Sequence, residues 1–166
     1  MAAARKNIVN ESFDGVITEM TLRQLGGAEI KKMHGLQYQI SFPLNDDYKV
    51  RYVYTINNGG ALFLQRLAPY PMRPARFASE TELIEFIKTD YKKFQNAQNS
   101  SNFGKFIEAV NTVIDLTIEF EEVFLNYNVS ADKIERFSTA MEETLGKVSN
   151  IKNKAKRIYF VEYPRP

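Results

Sequence analysis

The sequence predicts an α+β fold: an antiparallel meander of three or four strands, one amphipathic helix across its apolar face, then a long antiparallel helical hairpin. Three observations carry this. Apolar residues alternate with period two between Leu36 and Leu67. A turn-forming Asn57-Asn58-Gly59-Gly60 divides two of those alternating runs. From Ser79 onward the apolar spacing becomes that of a helix and stays so through most of the remaining chain.

In the first strand Leu36, Tyr38, Ile40 and Phe42 alternate with Gln37, Gln39 and Ser41, giving an apolar and a polar face. A turn over 43–47 leads to Tyr48, Val50, Tyr52, Tyr54 and Ile56, with Lys49, Arg51, Val53 and Thr55 opposite. The Asn-Gly turn, whose residues tolerate positive φ, returns the chain as a third strand over 61–67. Val16, Met20 and Leu22 share a parity, which predicts a further strand over 16–23, since a helix there would set Leu22 opposite Phe13 and Ile17. Gly26-Gly27 ends it, and residues 28–34 are ambiguous. Residues 66–77 contain Pro69, Pro71 and Pro74 and read as an extended connector rather than a strand.

Ser79-Glu-Thr-Glu82 is a capping box, and it opens a helix with Leu83, Ile84, Phe86, Ile87, Tyr91 and Phe94 on one side. The polar stretch 96–102 breaks it. Phe103, Phe106, Ile107, Val110, Ile114, Ile118, Phe124 and Leu125 then keep helical spacing, and Ser130 caps another helix carrying Ile134, Phe137, Met141, Leu145, Val148 and Ile151. So short a loop makes the two helices antiparallel. The tail over 158–161 is β-like.

With 166 residues and 44% hydrophobic content the chain is long enough for one cooperative unit, burying roughly 70% of its unfolded surface. Residues 1–97 would hold the sheet and its helix, and 98–166 the hairpin and tail. The absence of Cys excludes thiol nucleophiles, disulfides and Cys-ligated zinc, and a single His excludes every two-histidine metal site. His34, beside Gly35, reads as a turn histidine, and Asp46-Asp47 as a turn rather than a cation site. No glycine-rich phosphate loop precedes a helix. No cofactor or metal is therefore expected, and the chain is not expected to be an enzyme. No apolar run approaches ~18 residues, and the charged start lacks a signal-peptide core, so a cytoplasmic protein without a membrane partner is expected.

Charge is segregated despite a formal net charge of +2. Between Tyr48 and Ser79 stand Lys49, Arg51, Arg66, Arg73 and Arg76 without an acid, interleaved with aromatic rings, and Lys147, Lys152, Lys154, Lys156 and Arg157 make a second basic run. Cations among rings suit single-stranded DNA or RNA, although the pleat places Tyr52 and Tyr54 with the core residues and Lys49 and Arg51 opposite. Glu108, Asp115, Glu119 and Glu122 form an acidic stripe, whose end lies beside Lys133 and Arg136 in an antiparallel hairpin. The leading expectation is a non-enzymatic protein-interaction module, meeting another protein or a second copy through Phe120, Phe124 and Phe137 at the hairpin tip and Tyr70, Arg73 and Arg76 of the connector. The alternative is a nucleic-acid-binding accessory protein using Lys49, Arg51, Arg66, Arg73, Arg76, Lys152, Lys154, Lys156 and Arg157.

Overall fold

Three strands fall where the alternation places them, and the fourth does not. The computed structural model describes residues 13–25, 29–30 and 34–158, and the chain divides into two compact units, Met1–His34 and Gly35–Pro166. In the first unit, residues Phe13–Gln24 form helix α1, not the expected strand. A strand needs a neighbour for its backbone groups, whereas a helix satisfies them locally. Arg23 reaches back to Glu19 at 2.9 Å, an i,i+4 pair only a helix presents. Most of 28–34, and the expected tail strand beyond Ile158, lie outside the described residues.

The second unit is built on a four-stranded antiparallel sheet in the order β1 (Gly35–Pro43), β2 (Lys49–Asn57), β3 (Leu62–Ala68) and β4 (Ala75–Phe77). The β1–β2 turn is held by the Asn45 side chain, which accepts hydrogen bonds from the Asp47 and Tyr48 amides at 3.0 and 2.8 Å. In the β2–β3 turn the Asn57 side chain accepts from Gly59 and Ala61, at 3.0 and 2.8 Å, and Gly60 takes φ +75°. The fourth strand arises inside the connector that was expected to remain unpaired. Its three residues follow Pro74, so no proline interrupts the ladder, and Leu62, Phe63 and Leu64 pair with Phe77, Arg76 and Ala75.

Helix α2 (Glu80–Ala97) opens at the capping box: the Glu82 amide donates to Ser79 Oγ at 3.2 Å, and Glu82 Oε2 accepts from the Ala78 amide at 3.0 Å. Its buried side, Leu83, Phe86, Ile87, Asp90 and Phe94, faces Val50 and Tyr52 of β2 and Leu62 and Leu64 of β3. The Tyr91 hydroxyl donates to the Pro43 carbonyl at 2.7 Å and ties the helix to the end of β1. Helices α3 (Phe103–Asn126) and α4 (Ala131–Lys154) follow. Phe103 and Ile107 join the core, Phe103 meeting the Tyr48 ring edge-on at 5.3 Å. Among the described residues no helix is long and apolar enough to cross a membrane.

Candidate functional site: a cationic aromatic cavity and an uncovered hairpin

Strand β3 sends Leu62, Leu64 and Arg66 toward α2, because every second residue faces the same side. Two of these enter an apolar core, and the third is a cation only 6% exposed. It survives there because α2 places Asp90, 1% exposed, opposite it. Arg66 Nη1 donates to both Asp90 oxygens at 2.9 and 2.8 Å, and Nε donates to the Tyr70 carbonyl at 3.2 Å. The Tyr52 hydroxyl, adjacent to Arg66 in the sheet register, donates to Asp90 Oδ2 at 2.7 Å. Burial first, and then the neighbouring Asp90 charge, push the Tyr52 hydroxyl far above the usual tyrosine range. The guanidinium carbon lies 4.5 Å from the Tyr70 ring centroid and 4.8 Å from that of Phe94, so the cation sits between two rings.

This network forms one wall of an open cavity of about 440 Å³. Tyr70, Phe86, Phe94 and Phe106 supply aromatic walls, and Arg66, Arg73, Lys93 and Asp90 are the charged groups among the described lining residues. Phe106 is 44% exposed and meets Tyr70 edge-on at 5.8 Å. The Lys93 ammonium is lowered, chiefly by burial and, beyond that, by the charge of Arg157, while Asp90 acts in the opposite sense. Arg157, just after α4, is therefore within electrostatic reach of Lys93 on α2.

The connector thus divides. Tyr70 and Arg73 belong to the cavity, whereas Arg76 is exposed and alternates with the inward-facing Ala75 and Phe77, so it belongs to the opposite sheet face. Lys49 and Arg51 alternate with the buried Val50 and Tyr52 and share that opposite face. Arg66 is no surface cation. The nine basic residues expected to act together on nucleic acid are consequently split: Lys49, Arg51 and Arg76 on one side, Arg66, Arg73 and Arg157 on the other. Lys152, Lys154 and Lys156 are exposed at the end of α4 and just after it. Lys93 and Asp90 lie outside the basic and aromatic runs that the sequence marks. Asp90 carried a signal, since an acid on the apolar stripe of an amphipathic helix needs a buried cation.

The hairpin tip is partly self-satisfied. Phe120 and Phe137 stack with centroids 3.9 Å apart, both half-buried, while Phe124 is 59% exposed. Lys133 shares a hollow with Glu119 and Glu122, as the antiparallel register requires. Farther along, α4 buries none of its residues, and Leu145, Val148 and Ile151 stand open on one face. His34 makes no hydrogen bond or ion pair among the described residues, which also hold no grouping of three metal-ligating side chains. Comparison with protein-family models, curated proteins and solved structures finds no match to this chain.

Proposed function

We propose that the chain is a non-enzymatic protein-interaction module whose α3–α4 hairpin docks against a second copy of itself. The observation that carries this is α4: a 24-residue helix with a regular apolar stripe and no buried residue. Its first apolar residues, Ile134, Phe137 and Met141, are half-buried, but the same stripe continues through Leu145, Val148 and Ile151 without cover. Val123, Phe124 and Leu125 of α3 are likewise exposed. Contiguous uncovered apolar surface of this kind marks contact sites.

Charge argues for a second copy as the partner. From Val113 to Glu143 eight carboxylates stand against two cations, and from Thr144 to Ile158 five cations stand against none. The tip is acidic and the far end of α4 is basic. A two-fold pairing in antiparallel sense sets each acidic tip on the other copy's basic end, which is the self-complementarity an isologous contact requires. Sedimentation velocity on the full chain tests this. The wild type should dimerise at low salt, and Leu145→Glu with Val148→Glu should be monomeric with an unchanged far-ultraviolet circular dichroism spectrum, since both residues are exposed in the monomer. A wild type that stays monomeric at every concentration and salt, or a dimer indifferent to that double substitution, would overturn the reading.

A further inference from the structure

We infer that the outer edge of β1, together with the apolar cleft beside it, takes up an extended segment of another protein as a fifth strand. The segment it fits alternates apolar and polar side chains and carries a basic residue at its N-terminal end. None of the described residues lining the cleft belongs to the hairpin, so the inference does not rest on how α4 is covered.

The sheet order β1-β2-β3-β4 leaves two edges, and they differ. Exposed edges invite pairing with other chains, and soluble proteins blunt them with short strands, charged residues, proline or bulges. The β4 edge is blunted in this way: it has three residues, follows Pro74 and carries Arg76. The β1 edge has nine residues, no charged side chain, and no proline before its last position. Its register with β2 runs from Gly35↔Asn57 to Pro43↔Lys49 without a bulge. The Tyr91 hydroxyl takes the Pro43 carbonyl, and no other backbone group of β1 has a partner outside β2 among the described residues. Every second residue of an antiparallel strand turns its N–H and C=O away from a given neighbour. The edge of β1 is thus a row of open donors and acceptors.

Side-chain recognition comes from the cleft. Helix α2 packs on β2 and β3 and leaves the apolar face of β1 half open, with Leu36 61% and Tyr38 40% exposed. Beside that face lies a cleft of about 410 Å³, walled by Tyr38, Ile40 and Phe42 of β1 and by Leu83, Ile84 and Ile87 of α2. Its two charged residues, Glu80 and Lys88, are of opposite sign, and Lys88 is paired with Glu85 at 2.8 Å. The cleft therefore selects uncharged side chains. A strand added to β1 sends alternate side chains to the α2 side, about 7 Å apart, where they would cover Leu36, Tyr38 and the exposed part of Ile84. Main-chain bonds to an edge and pockets for alternate side chains are the two parts of recognition by strand addition. Antiparallel addition continues the meander and is the more stable sense. It sets the segment's N-terminal end beside Pro43 and the turn bearing Asp46 and Asp47, both exposed and unmatched by any cation among the described residues. A basic residue at that end complements them.

Titration calorimetry and amide hydrogen exchange on the full chain test the site, with a synthetic peptide of two lysines followed by alternating valine and threonine. The peptide should bind, and amides of β1 should gain protection while those of α4 do not change. Methylating one alternate set of the peptide's backbone nitrogens should weaken it by about tenfold or more, and methylating the other set should not. Exchanging the two lysines for glutamates should weaken it at low salt, and the difference should shrink as salt is added. Ile84→Lys should weaken it by about tenfold with an unchanged far-ultraviolet circular dichroism spectrum, since Ile84 is 47% exposed. The Leu145→Glu/Val148→Glu chain should bind the peptide as the wild type does, and loss there would overturn a site on the sheet edge. No binding at millimolar concentration, or equal losses from both methylated sets, would overturn strand addition. Affinity unchanged by Ile84→Lys would overturn the part given to the cleft. Protection of β1 without peptide that disappears on dilution would overturn the choice of occupant in favour of a second copy.

Discussion

Arg66 and Asp90 are each tolerated in the interior only because the other is there. Removing one partner strands a charge among apolar side chains, which costs about 3–5 kcal/mol, whereas replacing both by well-packed apolar residues is often neutral or stabilising. Asp90→Ala should therefore lower the unfolding free energy by about 3–5 kcal/mol in urea denaturation, and Arg66→Met/Asp90→Leu by clearly less than either single change. Equal losses would mean that the site tolerates a lone guanidinium. Tyr52 depends on the same carboxylate. Its hydroxyl keeps its proton in the folded chain beyond the ordinary value of 10.0, because ionising it would add a second negative charge in a buried place. The unfolded chain releases that proton first, so the contribution of Tyr52 is fully present below about pH 10 and is lost as the pH rises above it. Tyr52→Phe should flatten that alkaline limb of the stability profile while costing about 1.5–3 kcal/mol near neutrality for the lost bond to a charged acceptor.

At the level of elements, legibility followed from how much of the evidence was local. The parities of β1, β2 and β3 were readable because one face of each is apolar, and the turns at Asn45 and Asn57 use side chains that close hydrogen bonds within four residues. Helices α2, α3 and α4 were readable for the same reason, from caps and apolar spacing. The two errors concern segments whose state depends on distant partners. Val16, Met20 and Leu22 resemble a strand only if a neighbouring strand exists to pair with them, and residues 13–24 form a helix instead. Ala75–Phe77 becomes a strand only because the edge of β3 lies beside it. The cavity was half legible. Tyr70 and Arg73 stand out by residue type in the connector, but Lys93 sits on a helix face with nothing local to mark it, and the burial of Arg66 follows from its parity with Leu62 and Leu64, against the expectation its charge raises.

For the whole molecule, what matters is the polarity of charge along the hairpin. If two copies pair in antiparallel sense, the basic end of one α4 meets acids from the other copy's tip, and the pairing should tolerate exchange of sign. Lys147→Glu with Lys152→Glu should abolish the dimer, as should Glu119→Lys with Glu122→Lys. Mixing the two variants should restore association as a heterodimer, because each then offers one contact of opposite charges and one of reversed charges that still match. Analytical ultracentrifugation of the mixture checks this, and absence of the heterodimer would refute the antiparallel arrangement.

Helix α3 buries Phe103 and Ile107 in the core and sets Phe106 against Tyr70, and among the described residues none beyond Ile107 in either helix of the hairpin is buried. Opening the outer turns therefore exposes little that the sheet relies on. The arm behaves as a cantilever with its own, lower threshold for local melting, fixed where it leaves the sheet and loosest at the loop over 127–130. Its amide protons should exchange in a gradient along α3 while those of β2 and β3 remain protected. Its reach is also a free variable, since whole turns added to both helices would lengthen it without disturbing a single contact of the domain from which it grows.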